Sequence, residues 1–371
     1  MFRFDSHRSR PQRLALLHLV IAVSTACPLS AQQAETIDEL RREAAAVFGK
    51  LEPVDPARLD EPIVRLGRRL FWDERLSASG TVACGSCHQP QDWGADSRRF
   101  SIDARGKSTA RHSQTVLNAL RQPSLRWTGD RRSGAHQAER SLTGSMGFDA
   151  ADEVIPKLIE FGYEADFAAS FPDDPSPLTP ARYAAAIEAY EATLVTPAPF
   201  DRFLDGDPAS LDPIARQGLR LFLDRGCADC HSGPLLGGTS LERFGLHQDF
   251  RELTGSEPGD TGLAMTTKNE ADRDKFRVAM LRNIARTAPY FHDGSVESLE
   301  RAVQVMAATQ LDAPLGDDET AAIVRFLETL TGELPTNYAP PSALPNDDAD
   351  VPPTSDRSDD SDASDRRSDR R

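Results

Sequence analysis

Two five-residue stretches decide the reading of this chain: Cys84-Gly85-Ser86-Cys87-His88 and Cys227-Ala228-Asp229-Cys230-His231. Cysteines three apart on one helical turn share a face, and the following residue turns its imidazole over that face. Thiols so placed can form thioethers with the vinyl groups of a porphyrin while the histidine binds its iron, so each pentad reads as one c-type haem. A zinc site, a thioredoxin-like redox pair and plainly buried cysteines are the competing readings. The doubling counts against them, because the pentads use four of the five cysteines and the fifth, Cys27, lies near the N-terminus.

The duplication extends outward from the pentads. Ile63-x-x-x-Gly67-x-x-Leu70-Phe71 precedes the first and Ile214-x-x-x-Gly218-x-x-Leu221-Phe222 the second. Apolar residues recur at helical spacing with glycine at the same place, so one structural unit has been used twice. From the phenylalanine to the first cysteine is 13 residues in one copy and 5 in the other, which makes 74–80 an inserted loop in the first. Helical patterns cover 158–171, 183–194, 298–306 and 318–330, the last with Ile323, Phe326, Leu327 and Leu330 on one stripe. No run of alternating strand residues stands out, so the fold class is expected to be all-α. The Pro/Asp-rich stretch 197–213 reads as the domain junction.

The chain has 371 residues, room for about two domains with cores of their own. Its formal charge of −15 would repel phosphate backbones, which excludes nucleic acid as a partner class. Residues 1–31 carry Arg3, Arg8, Arg10 and Arg13, an apolar stretch from Leu14 to Ala26, and small residues up to Ala31. This is the order of a secretory signal peptide, with export to the periplasm and cleavage near Ala31. An uncleaved anchor and a lipid-modified Cys27 are the alternatives. Loss of that segment removes four Arg and one Asp and takes the charge from −15 to −18. No other apolar run is long enough for a membrane span. From Pro340 onward come nine Asp, five Arg and five Pro with almost nothing apolar, a composition that cannot offset its ordering entropy. Residues 336–371 are therefore assigned to a disordered acidic Ser/Asp/Arg tail.

A haem iron with one histidine has an open opposite face, and its occupant separates an electron carrier from an enzyme. His112, His136, His247, His292, Met146, Met265, Met280 and Met306 are the unspent candidates, and spacing does not choose among them. The wording of the chain resembles the bacterial di-haem cytochrome c peroxidase family, which includes the MauG-type enzymes of methylamine utilisation. The matching runs are 66–71, Arg75-Leu76-Ser77, 113–119, Trp127 and Gln137-Ala138, then 281–294, Met306, Gln310-Leu311 and 326–332.

The resemblance implies two cytochrome c-like helical domains, 32–200 and 201–335, with one covalently bound haem each near the domain interface. Cys84, Cys87 and His88 would hold a peroxidatic haem. Cys227, Cys230, His231 and Met306 would hold an electron-transfer haem, the thioether ligand raising its reduction potential. Trp127 matches the tryptophan between the two haems, Gln137 a distal-pocket glutamine, and Thr287 and Pro289 two carbonyl ligands of a calcium ion.

Three positions depart from the family. Ala104 stands where a histidine blocks the first haem at rest, so the first haem is expected to be open. Gly147 stands where a glutamate assists peroxide cleavage, which leaves Gln137, His136 and Glu139 as the nearby candidates for proton transfer. His112 replaces a calcium-site asparagine, a poor exchange for an oxygen-seeking ion.

The expected activity is reduction of hydrogen peroxide with electrons from a small cytochrome c or cupredoxin. The alternatives are a MauG-type oxidase of a protein or organic substrate and a non-enzymatic electron-transfer cytochrome. A homodimer is a further expectation, since many family members dimerise.

Overall fold

The computed structural model describes residues 29–346. Residues 1–28, on which most of the expected signal peptide 1–31 falls, and residues 347–371 of the expected tail lie outside the described residues. Twelve α-helices run in order among the described residues: α1 Leu29–Phe48, α2 Pro62–Trp72, α3 Gly134–Thr143, α4 Val154–Glu160, α5 Glu164–Ser170, α6 Pro180–Glu191, α7 Pro199–Leu204, α8 Pro213–Asp224, α9 Phe250–Thr254, α10 Ala264–Thr267, α11 Leu299–Leu311 and α12 Asp317–Glu328. The only strands among the described residues, β1 Leu241–Arg243 and β2 Lys275–Arg277, form an antiparallel ribbon.

The repeated segments become α2 and α8, and both start as their sequence directs. Proline opens each helix, and Asp212 caps α8 by accepting the Ala215 N–H at 2.8 Å. The glycine shared by the two copies lets each helix cross another at backbone contact. A Cβ on Gly67 would lie 1.9 Å from the Ala186 carbonyl oxygen of α6, and one on Gly218 would lie 1.8 Å from that of Ala322 in α12. Two apolar cores grow from these crossings. One gathers Leu66, Leu70, Phe71, Tyr183, Ile187 and Tyr190, the other Leu219, Phe222, Ile323, Phe326 and Leu327.

The copies share a further motif. Asn118 and Asn283 both have left-handed backbones, with φ of 61° and 63°, and each opens a short 3-10 turn. Both donate their side-chain amides to the Thr196 hydroxyl, at 2.8 and 2.9 Å, so one residue of the connecting segment serves both halves.

The packing differs from the expected boundaries at both ends. Leu40, Ala44 and Phe48 of α1 pack in the second core, not the first. Conversely, residues 336–346, expected in the tail, are folded onto the first unit, where Tyr338 is 3% exposed. Backbone carbonyls rather than apolar periodicity hold this segment: Arg68 donates to Ala339 O and Tyr190 to Asn337 O. The expected helix 158–171 is broken by Gly162, whose φ is 76°. The junction 197–213 holds α7, whose Phe200 and Phe203 are fully buried.

Candidate functional site

Each pentad forms a single 3-10 turn, Cys84–Ser86 after the inserted loop of the first copy and Cys227–Asp229 directly after α8 in the second. The histidine that follows is locked the same way in both copies. His88 donates Nδ1–H to Gly94 O at 2.8 Å and His231 donates Nδ1–H to Leu236 O at 3.1 Å, since a carbonyl can only accept. That bond leaves Nε2 with its lone pair, the tautomer a metal needs. Burial pulls both histidines below their ordinary pKa of 6.5 and so keeps them neutral.

The four cysteines are free of disulfides. Burial raises every one of their thiol pKa values, that of Cys227 to about 11. Protonated thiols of this kind do not suit a redox pair, which needs a lowered pKa. No three His, Cys, Asp or Glu side chains converge as a metal-binding group among the described residues. The redox-pair reading therefore loses its chemistry, while thioether attachment keeps its own.

The second pentad opens on a cavity of about 230 Å³ with largely apolar walls. Cys227, Cys230 and His231 line it, and so does Met306 from α11. A mainly apolar cavity with a neutral imidazole, a thioether and two thiols fits a c-type haem. Tyr290 also lines it, but its hydroxyl donates to Ile284 O at 3.2 Å. His112, Trp127, Thr287 and Pro289 reach the same cavity from the inter-unit side, so the structure brings these predicted residues together with Met306. Trp127 is pinned there: its indole N–H donates to His112 O at 2.9 Å, and the His112 N–H donates to His292 O at 2.8 Å.

Around the first pentad the contacts are aromatic. Trp72 packs on Gly85, where a Cβ would stand 2.2 Å from the ring. Tyr338 donates its hydroxyl to His88 O at 2.7 Å. Sequence reading missed Tyr338, because its partner lies 250 residues away and nothing in its neighbourhood signals a site.

The three candidates on α3 fare differently. The Gln137 Oε1 is buried without any hydrogen-bond partner, an acceptor left for something the polypeptide does not provide. His136 is half-buried, and desolvation together with Arg132, Arg131 and Arg140 lowers its pKa. Glu139 is exposed. The two departures Ala104 and Gly147 are spatial neighbours, with Ala104 N–H donating to Ser145 O at 2.9 Å.

A duplicated helical unit, each copy presenting two thiols and a carbonyl-oriented histidine, has the arrangement of a c-type cytochrome. A family profile described as di-haem cytochrome c peroxidase matches residues 61–209. The chain is 37% identical to the cytochrome c551 peroxidase of Pseudomonas aeruginosa, over 80% of this chain and 88% of that protein. It is 35% identical to the Nitrosomonas europaea protein of the same name, over 83% and 92%. The chain belongs to the di-haem cytochrome c peroxidase family, whose cofactors are haems. The methylamine utilisation protein MauG of Methylophilus methylotrophus is 29% identical over 75% of this chain and 86% of its own. Among solved structures, a MauG-like protein associated with microbial copper homeostasis superposes with a TM-score of 0.69 and 28% identity, covering 78% of this chain and 97% of that one.

Proposed function

We propose that the protein is a di-haem peroxidase carrying two c-type haems, exported to the periplasm, that reduces hydrogen peroxide to water. The overall reaction takes one peroxide, two electrons and two protons to two waters, with the electrons delivered by a small cytochrome c or cupredoxin. Membership of the family and the names of its relatives support the activity. The observation that carries the division of labour is Met306 lining the cavity of the second pentad.

When bound, the iron porphyrins supply the peroxide-binding centre and the electron store. In the first unit Cys84, Cys87 and His88 hold one, with His88 kept neutral and oriented by Gly94 O. In the second, Cys227, Cys230, His231 and Met306 hold the other. Trp127, fixed by the His112 carbonyl, is the aromatic between the units that conducts charge. Gln137 offers its unpartnered Oε1 to orient peroxide or a water, while His136 and Glu139, next to it on α3, pass protons in from solvent. We assign no step to a calcium ion at Thr287 and Pro289. The His112 imidazole beside them suits a hard, oxygen-seeking ion poorly, and its Nδ1–H is already committed to Arg98 O at 3.2 Å. The MauG-type branch of the family places a tyrosine at the sixth position of the second haem, and Met306 in this cavity weighs against that reading.

Peroxide-dependent oxidation of a reduced small cytochrome c tests the activity. The expected result is consumption of donor and peroxide in a two-to-one ratio. Negligible turnover would leave an electron-transfer cytochrome instead.

A further inference from the structure

Among the described residues two arginines are buried, Arg277 at 4% exposure and Arg282 at 1%. Arg282 is neutralised within the chain, its Nη1 and Nη2 donating to the Asp201 carboxylate at 2.6 and 2.8 Å. Arg277 has no such counter-charge. Its Nε donates to Arg126 O at 2.9 Å, its Nη2 to Gln114 Oε1 at 2.9 Å, and its Nη1 is buried with no hydrogen-bond partner. None of the ion pairs among the described residues includes it. A buried guanidinium without an anion is among the most costly groups a fold can hold, which points to an anion from outside the polypeptide.

Arg277 lines the cavity that Cys227, Cys230, His231 and Met306 share. A porphyrin brings propionate carboxylates, and the planar guanidinium fork matches a carboxylate. We propose that Arg277 is a positioning residue of the second site, its Nη1 pairing with a haem propionate; the assignment rests on the reading that the second pentad carries a haem. The consequence is electrostatic. A fixed positive charge at the haem edge disfavours the oxidised iron and raises the reduction potential, as an electron-accepting haem requires. The same residue ties that edge to the first unit, because its backbone N–H donates to Trp127 O at 2.7 Å.

The test is spectroelectrochemical titration of the holoprotein, wild type against Arg277→Gln and Arg277→Lys, with haem content measured on each. The expected result for R277Q is at least a tenfold fall in the reduced-to-oxidised ratio of the second haem at fixed potential, about 59 mV for one electron. R277K, which keeps the charge, is expected to fall less than threefold. An R277Q protein with both haems and an unchanged potential overturns the assignment. If R277Q assembles without the second haem, R277K must assemble with both; its failure to do so overturns the assignment as well. A wild-type protein carrying one haem equivalent removes the underlying reading instead, so the two failures are distinguishable.

Discussion

A Cβ placed on Gly147 would stand 2.9 Å from the Cβ of Ala104, and the Gly147 backbone is left-handed at φ 85°. The two positions expected from the sequence to depart from the family pattern thus occupy one spot and accommodate each other. Restoring the family's glutamate alone is therefore expected to fail structurally. Gly147→Glu forces a side chain into a conformation that costs about 1–2 kcal/mol and into contact with Ala104. Urea unfolding should show a loss of roughly 2 kcal/mol; an unshifted midpoint would show that the loop adapts without strain.

The repeat makes a paired prediction. Gly67→Ala and Gly218→Ala each drive a methyl into a backbone carbonyl of the crossing helix, so both should destabilise by about 3 kcal/mol or more. Thermal melts of the two variants would agree in size if the units are equivalent. A tolerated substitution at either site would mean that its crossing opens easily.

Acid should weaken the fold in two stages. Burial holds His112 and His292 below their ordinary 6.5, so the unfolded chain takes up protons first as pH falls. The stability they contribute is complete above about 6.5 and is lost as pH falls through their folded values. Asp96 and Asp260 follow. Burial raises them, but Arg98 and Ser101 on Asp96, and Arg111 on Asp260, outweigh it and hold both below 3.8. Their contribution is present above about 3.8 and is lost below it. Urea midpoints measured across this range should fall in both windows, and His112→Gln should flatten the upper one. An upper slope unchanged in H112Q would exclude His112 from it.

The Tyr338 hydroxyl reaches the backbone carbonyl of His88, the histidine of the first pentad. Tyr338→Phe removes that bond and should cost about 1 kcal/mol. Truncation after residue 335 should do more, perturbing the first haem's spectrum while leaving the second's intact. Identical spectra in the truncated protein would show that the 336–346 segment only covers the surface.

What was legible in the sequence is what is local. The pentads, the apolar spacing of the repeated helices, and the shared Gly67 and Gly218 can be read because they are local or recur at one spacing. Arg277, Tyr338 and Thr196 were not legible. Arg277 reaches Gln114 across 163 residues, Tyr338 reaches His88 across 250, and Thr196 gathers amides from both copies. The exchange of the two ends was hidden for the same reason, since α1 shows only that it has an apolar face and not which core receives it.

Under the proposed function the two haem sites are chemically unequal, one closed by Met306 and one open to peroxide. An electron paramagnetic resonance spectrum of the fully oxidised holoprotein, with two haem equivalents confirmed, tests it most directly. One low-spin ferric signal is expected beside one high-spin signal, and only the low-spin signal should change in Met306→Ala. Two low-spin signals in the wild-type protein would contradict it.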